Sequence, residues 1–195
     1  MVSIPTAVKI VVSGGFGVGK TTLIGAISEI EPLVTEAAMT EVSVGVDDAS
    51  GLAHKTTTTV ALDFGRITLD RNLILYLFGT PGQDRFTFLW DDLAEGALGA
   101  VIMADTRRIE DCYPVLDYFE ERSVPFLVAV NHFEGAQQFD VVEVREALGV
   151  DDLIPVVYCD ARYRESVKQV LVALIERVLL QYATRLAPRR LPASG

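Results

Sequence analysis

Gly14-Gly15-Phe16-Gly17-Val18-Gly19-Lys20-Thr21 decides the reading of this chain. It matches G-x-x-x-x-G-K-[ST] at every fixed position. Before it, Lys9-Ile10-Val11-Val12-Ser13 is short, apolar and β-branched, and reads as a buried strand. After it, Thr22 to Glu29 reads as a helix. Strand, glycine loop and helix in that order make a phosphate site. Polyphosphate carries several negative charges and needs many donors at short range. Gly14, Gly15, Gly17 and Gly19 let the backbone turn tightly, so that the N–H groups of the loop, those of Phe16 and Val18 included, aim inward. The following helix adds the free N–H groups of its first turn, at Thr21 and Thr22, and its positive dipole end. Lys20 reaches the β and γ phosphates as a point charge, and the Thr21 hydroxyl is a hard oxygen ligand suited to Mg²⁺. A glycine-rich turn with a chance Lys-Thr would leave the flanking strand and helix unexplained.

The 195 residues suit one domain with a full core, expected over residues 1–185, with 186–195 as a short mobile tail. Half the residues are hydrophobic, enough for a buried sheet covered by helices. A net charge of −10 argues against nucleic acid as a partner and against a polybasic membrane anchor. Cys112 and Cys159, far apart and each within an apolar run, read as core thiols of a reducing cytoplasm. No apolar run is long enough to span a bilayer, no signal-peptide pattern opens the chain, and no cysteine follows Leu186 to form a prenylation box. The expected location is cytoplasmic, with any membrane contact made through partners.

Residues 30–58 lack sustained periodicity and read as a long, partly mobile loop, the kind that is functional or disordered in a compact domain. Val60–Leu69 and Leu73–Phe78, joined by the Asp70-Arg71-Asn72 turn, read as an antiparallel hairpin. Further strands are expected at Gly99–Ala104, Pro125–Val130 and Pro155–Cys159. Helices are expected at 84–95, Cys112–Arg122, Asp140–Leu148 and Ser166–Arg185. The last carries Val167, Val170, Leu171, Leu174, Val178 and Tyr182 on one stripe, read as core packing. This alternation predicts an α/β fold: a mostly parallel six-stranded sheet with one antiparallel strand and helices on both faces. Sites in such sheets lie at the carboxyl ends of the strands, where every further motif falls.

Thr59-Val60-Ala61-Leu62-Asp63-Phe64 resembles the Thr-x-x-x-Asp-Phe of Ras-like GTPases, whose threonine caps Mg²⁺ and senses the γ-phosphate. Thr56, Thr57 and Thr58 are alternatives to Thr59. Gly79-Thr80-Pro81-Gly82-Gln83 resembles the Asp-x-x-Gly-Gln element. Gly82 would offer its N–H to the γ-phosphate, and Gln83 would orient the attacking water. Gly79 stands where that element carries its Mg²⁺-linked aspartate; Asp63 and Asp105 are the nearest acids in the inferred layout. Asn131-His132-Phe133-Glu134 sits where the family has Asn-Lys-x-Asp. Asn131 matches, Glu134 would accept from guanine in the aspartate's place, and the His132 imidazole would stack where a lysine stem lies. Asp160-Ala161-Arg162 resembles Ser-Ala-Lys, whose middle N–H reads guanine O6. His54 reads as a solvated loop residue.

Over about residues 7–182 the chain resembles a bacterial Ras-like small GTPase. The spellings Thr56 to Gly65, Leu77 to Phe86 and Cys159 to Arg162 are similar to those of the actinobacterial conservon type, relatives of the gliding-motility polarity GTPase. The resemblance implies P-loop binding of GTP and GDP, Mg²⁺ held by Thr21 and Thr59, and Lys20 and Gln83 as catalytic groups. It also implies a Roadblock/LC7-type partner and an operon shared with a sensor-kinase-like protein. No arginine lies between Ile30 and Thr58, so Arg85 is the nearest candidate for a cis arginine and slow intrinsic hydrolysis is expected. Two rivals stand beside this reading: a nucleotide-holding adaptor that does not turn over, and an ATP-using P-loop enzyme.

Overall fold

The computed structural model describes residues 5–31, 33–41, 56–82 and 88–186, with side chains omitted at 33–41 and 56–61. In chain order the elements are β1 (Thr6–Gly14), α1 (Lys20–Ile27), β2 (Leu33–Glu41), β3 (Thr56–Asp70), β4 (Leu73–Gly79), α2 (Leu89–Ala94), β5 (Gly99–Ala104), a 3₁₀ turn (Ile109–Cys112), α3 (Tyr113–Glu121), β6 (Phe126–Asn131), α4 (Val141–Leu148), β7 (Val156–Cys159) and α5 (Arg164–Leu186). One sheet runs in the order β2-β3-β4-β1-β5-β6-β7. β3 is antiparallel to both its neighbours, and all other pairs are parallel.

β5 and β6 are buried along their whole length and β1 from Ile10 to Gly14, as parallel strands covered on both faces must be. Their side chains alternate between two cores. Ile10, Val12, Val101, Met103, Leu127 and Ala129 meet α1 and α5 on one face. Val11, Ala100, Ile102, Val128 and Val130 meet α2, α3 and α4 on the other. α4 opens with a capping box, Asp140 accepting from the helix backbone and Glu143 accepting from the Asp140 N–H. Cys112 and Cys159 are buried free thiols, and burial pushes each up to about 12, which keeps them protonated and inert. Among the described residues no helix is long and apolar enough to cross a membrane.

The expected α/β class and single antiparallel strand are present, with two departures. The described sheet has seven strands, not six, because Leu33–Glu41 pairs with Thr56–Phe64 as an edge strand inside the stretch read as loop. The threonine run at 56–59 is β-branched and extends β3 back from the expected start at Val60. The second departure is Tyr182, which is 47% exposed while Val167, Val170, Leu171, Leu174 and Val178 are buried. α5 has 23 residues, roughly 35 Å of helix at ~1.5 Å each, and outruns the sheet it packs on. The helix expected from 84 begins, among described residues, at Leu89; its start lies outside them, as does the expected tail beyond Leu186.

Leu174 and Leu179 test which stripe of α5 holds the fold. Leu174 is 0% exposed and Leu179 is 62% exposed. Leu174→Ala is expected to lower unfolding free energy by about 2–5 kcal/mol in a urea titration, and Leu179→Ala to change it by no more than about 0.5 kcal/mol.

Candidate functional site

β1, β4, β5, β6 and β7 all point their carboxyl ends at one edge of the sheet, so the loops after them meet there. The loop after β1 turns through Gly14, Gly17 and Gly19, at φ 139°, 73° and 107°. These are conformations that cost other residues strain. Space constrains the loop as well. A Cβ on Gly14 would strike the Met103 carbonyl oxygen, and one on Gly19 would lie 2.7 Å from Asn131 Nδ2.

Lys20 opens α1 and turns back over the loop. Its Nζ donates to the carbonyl oxygens of Gly14 at 2.8 Å and Gly15 at 2.7 Å. The side chain is 8% exposed. Burial lowers its pKa to about 8, against the pull of the Asp63 carboxylate, which raises it. Gly82 lies directly above: a Cβ there would come within 2.7 Å of Lys20 Nζ and 2.9 Å of Phe16 N. Thr80 anchors that segment, its N–H donating to Val12 O at 2.9 Å and its hydroxyl 2.8 Å from that of Ser13. Together Phe16, Gly17, Lys20, Thr21, Asp63 and Gly82 line an open cleft of about 330 Å³. The Thr21 hydroxyl donates to Asp63 Oδ2 at 2.7 Å.

Asn131 ends β6 and is buried against the same loop. Its Nδ2 donates to Val18 O at 2.9 Å, and its Oδ1 accepts from Ala161 N–H at 3.0 Å. One amide thus ties the loops after β1, β6 and β7 together. The Ala161 N–H, expected to read a base oxygen, is engaged with Asn131. Glu134 and His132 are exposed in the loop after β6, and neither lines that cleft. Asp160 pairs with Arg162 through two bonds of 2.9 and 2.7 Å, which hold its carboxyl down at about 2.

Of the expected residues, the fold gathers Gly14 through Thr21, Gly82, Asn131 and Ala161 at one place. Thr22 is exposed in the first turn of α1. Thr59 lies on β3 opposite Ala38, four residues and roughly 13 Å of strand from Asp63 at ~3.3 Å per residue. The Thr59 side chain lies outside the described residues, as do Gln83 and Arg85.

Sequence reasoning missed Arg108 and Asp111, which brace the loop from outside. Arg108 Nη2 donates to Phe16 O at 2.7 Å and stands 3.7 Å (from Nη1) and 3.9 Å from Asp111 and Asp105 carboxylates. A Cβ on Gly15 would lie 2.7 Å from Asp111 Cβ. Asp105 is buried and accepts one bond from the Arg107 N–H and two from its guanidinium, which lies 3.9 Å over the Phe133 ring. Their one signal in the sequence was position, just beyond the carboxyl end of a strand.

The model for conserved hypothetical ATP-binding proteins matches residues 12–181. The chain belongs to this family. Its relatives include an uncharacterized protein of Methanocaldococcus jannaschii, 28% identical over 126 residues, 64% of this chain and 69% of the relative. An elongation factor G-like protein of Synechocystis is 27% identical over 95% of this chain, which spans 28% of that protein. Among solved structures, the G domain of the T. maritima FeoB iron transporter aligns at TM-score 0.62 and 23% identity, over 88% of this chain and 99% of that domain. The same transporter's cytosolic domain, solved in GDP and GMPPNP forms, aligns at TM-score 0.62 and 21% identity, and the chain spans 64% of it. At these identities the likeness is one of fold, and the fold is that of a P-loop GTPase-like G domain.

The lowered Lys20 pKa gives the cleft a pH signature. A bound polyphosphate favours the charged ammonium and raises that pKa, so binding above pH 8 takes up a proton. Affinity for a nucleoside diphosphate is expected to be full below about pH 8 and to fall by up to about tenfold per unit above it. Calorimetric titrations at rising pH, in buffers of different ionisation heat, measure both. The phosphates are fully ionised well above their second pKa of ~6, so they do not obscure it.

Proposed function

We propose that the chain is a guanine-nucleotide switch that binds GTP and GDP with Mg²⁺ and hydrolyses GTP slowly. One observation carries the reading. The phosphate elements, Lys20, Thr21 and Gly82, and the base element, Asn131, meet at one sheet edge and are joined through the Asn131 amide. An amide bonded to both the phosphate loop and the loop after β7 links base recognition to phosphate placement. The GDP and GMPPNP forms of the FeoB cytosolic domain lend support by likeness of fold.

In this reading the loop N–H groups and Lys20 hold the β and γ phosphates. Gly82 comes close enough to offer its N–H to the γ-phosphate because it has no side chain to strike Lys20. Gln83 positions water, and Thr59 moves in over the γ-phosphate. Asn131 and Glu134 read the base, and the Ala161 N–H joins them when it is released from Asn131 Oδ1. Among the described residues no group of three or more His, Cys, Asp or Glu side chains is placed to hold a metal unaided. Mg²⁺ would need fewer protein ligands here, since phosphate and water oxygens would supply the rest. The Thr21 hydroxyl and Asp63 carboxylate are hard oxygens 2.7 Å apart at the cleft and suit it. Bound there, Mg²⁺ would neutralise charge on the β and γ oxygens.

Hydrolysis is slow in this reading because Arg108 is spent on the Phe16 carbonyl and no arginine precedes Thr59 in the loop from Ile30. Turnover is then set by a partner. By resemblance to the conservon type, that partner is a cytoplasmic Roadblock/LC7-type protein, with a sensor-kinase-like protein encoded in the same operon. A second reading has one specific observation in its favour. The Ala161 N–H is already engaged, and the family is described as ATP-binding, so adenine is the competitor.

Lys20→Ala is expected to raise the GDP dissociation constant by at least about 10–100-fold, the worth of a charge-assisted contact. In competition against a fluorescent GDP, GTP should outcompete ATP; equal or tighter ATP binding would install the second reading. Single-turnover GTP hydrolysis by the isolated protein is expected at or below ~10⁻³ s⁻¹, and a rate above about 0.1 s⁻¹ would contradict the slow switch.

A further inference from the structure

We infer that Asp63, on β3, is the carboxylate that orients the Mg²⁺ site, transferred across the strand ladder from position 79 on β4. The inference rests on the nucleotide reading above and goes beyond it by assigning the acid.

The antiparallel register pairs Asp63 directly with Gly79. Gly79 is not among the glycines with positive φ, so its backbone makes no demand for glycine. Space does. A Cβ on residue 79 would lie 2.9 Å from Asp63 Cβ, 3.1 Å from Asp63 Oδ2 and 3.2 Å from Ile24 Cδ1. Any side chain there would strike Asp63 as it stands, so an acid at 63 in this orientation requires glycine at 79.

The same contact shows where the carboxylate goes. Asp63 Oδ2 lies one short side chain's reach from the point where residue 79 would begin its own. An aspartate on β4 would therefore carry its oxygens into the region that Asp63 occupies from β3. That oxygen accepts the Thr21 hydroxyl at 2.7 Å, and its charge acts on Lys20. Asp63 thus touches the one side chain of the phosphate loop with a hard oxygen for the metal. The role is positioning: a carboxylate beside a metal ligand fixes that ligand and the water around the ion, and loss of such a partner costs 10–100-fold in metal affinity. The alternative is that Asp63 only pins the Thr21 hydroxyl as part of the fold.

Release of a fluorescent GDP from the full chain, with Mg²⁺ and with EDTA, separates the two roles. If ATP wins the competition above, fluorescent ADP takes its place. Asp63→Asn keeps the shape and an acceptor for Thr21 but removes the charge. It is expected to shrink the Mg²⁺-induced slowing of release, read within each variant as the ratio of its release rates in EDTA and in Mg²⁺, by about tenfold or more. Asp63→Gly should do the same, and the exchanged pair Asp63→Gly with Gly79→Asp should restore most of the Mg²⁺ effect. An unchanged Mg²⁺ effect in Asp63→Asn would overturn the inference. So would a folded exchanged pair no better than Asp63→Gly, or a wild type that binds nucleotide with no Mg²⁺ effect. If the exchanged pair does not fold, Asp63→Asn decides alone. A wild type that binds neither nucleotide defeats the nucleotide reading itself, which is a distinct result.

Discussion

Everything at the carboxyl edge of this sheet depends on a buried ammonium. Lys20 Nζ is held by two carbonyl oxygens of the loop it follows, and its charge is lowered in pKa by burial. A buried cation hydrogen-bonded only to neutral carbonyls, with the Asp63 carboxylate acting on it through charge alone, is costly and favours an anion as partner. The loop is shaped to admit one, since its backbone turns through glycines at positive φ, the kind of turn whose N–H groups can form an anion-binding concavity. The close approach of Gly82 follows from the same constraint, because a side chain at 82 would occupy the place of the ammonium.

The sheet supplies the rigidity that this arrangement needs. β1, β5 and β6 are buried on both faces, and their alternating side chains feed two cores. The loops that leave their carboxyl ends therefore start from fixed points. Three long-range contacts then lock the loops to each other: Asn131 to Val18, Arg108 to Phe16 and Thr80 to Ser13. None lies between chain neighbours, and each joins a different strand end to the phosphate loop or its strand.

That pattern explains what the sequence made legible and what it did not. The phosphate loop was readable because its chemistry is local: glycines, Lys20 and Thr21 lie within eight residues between a strand and a helix. The six strands read from the sequence are all present, and in β5 and β6 burial on both faces leaves a continuous apolar signal. β2 left none, because an edge strand paired on one side needs no apolar alternation. Arg108 was invisible because its partner lies 92 residues away and is a backbone oxygen, which has no residue type to recognise. Asp63 could be named as a nearby acid, but its relation to Gly79 depends on strand register. Register between two apolar strands is set by the turn between them and by packing, not by any single residue.

The central claim is that this cleft holds a guanine nucleotide. Its most direct test is the identity of whatever leaves the purified, undialysed protein on denaturation, separated by ion-exchange chromatography against nucleotide standards. The account predicts GDP, with a minority of GTP, approaching one equivalent per chain. Adenine nucleotides in that amount would contradict the base assignment. A protein free of nucleotide that also fails to take up GDP or ADP would contradict the reading of the cleft itself.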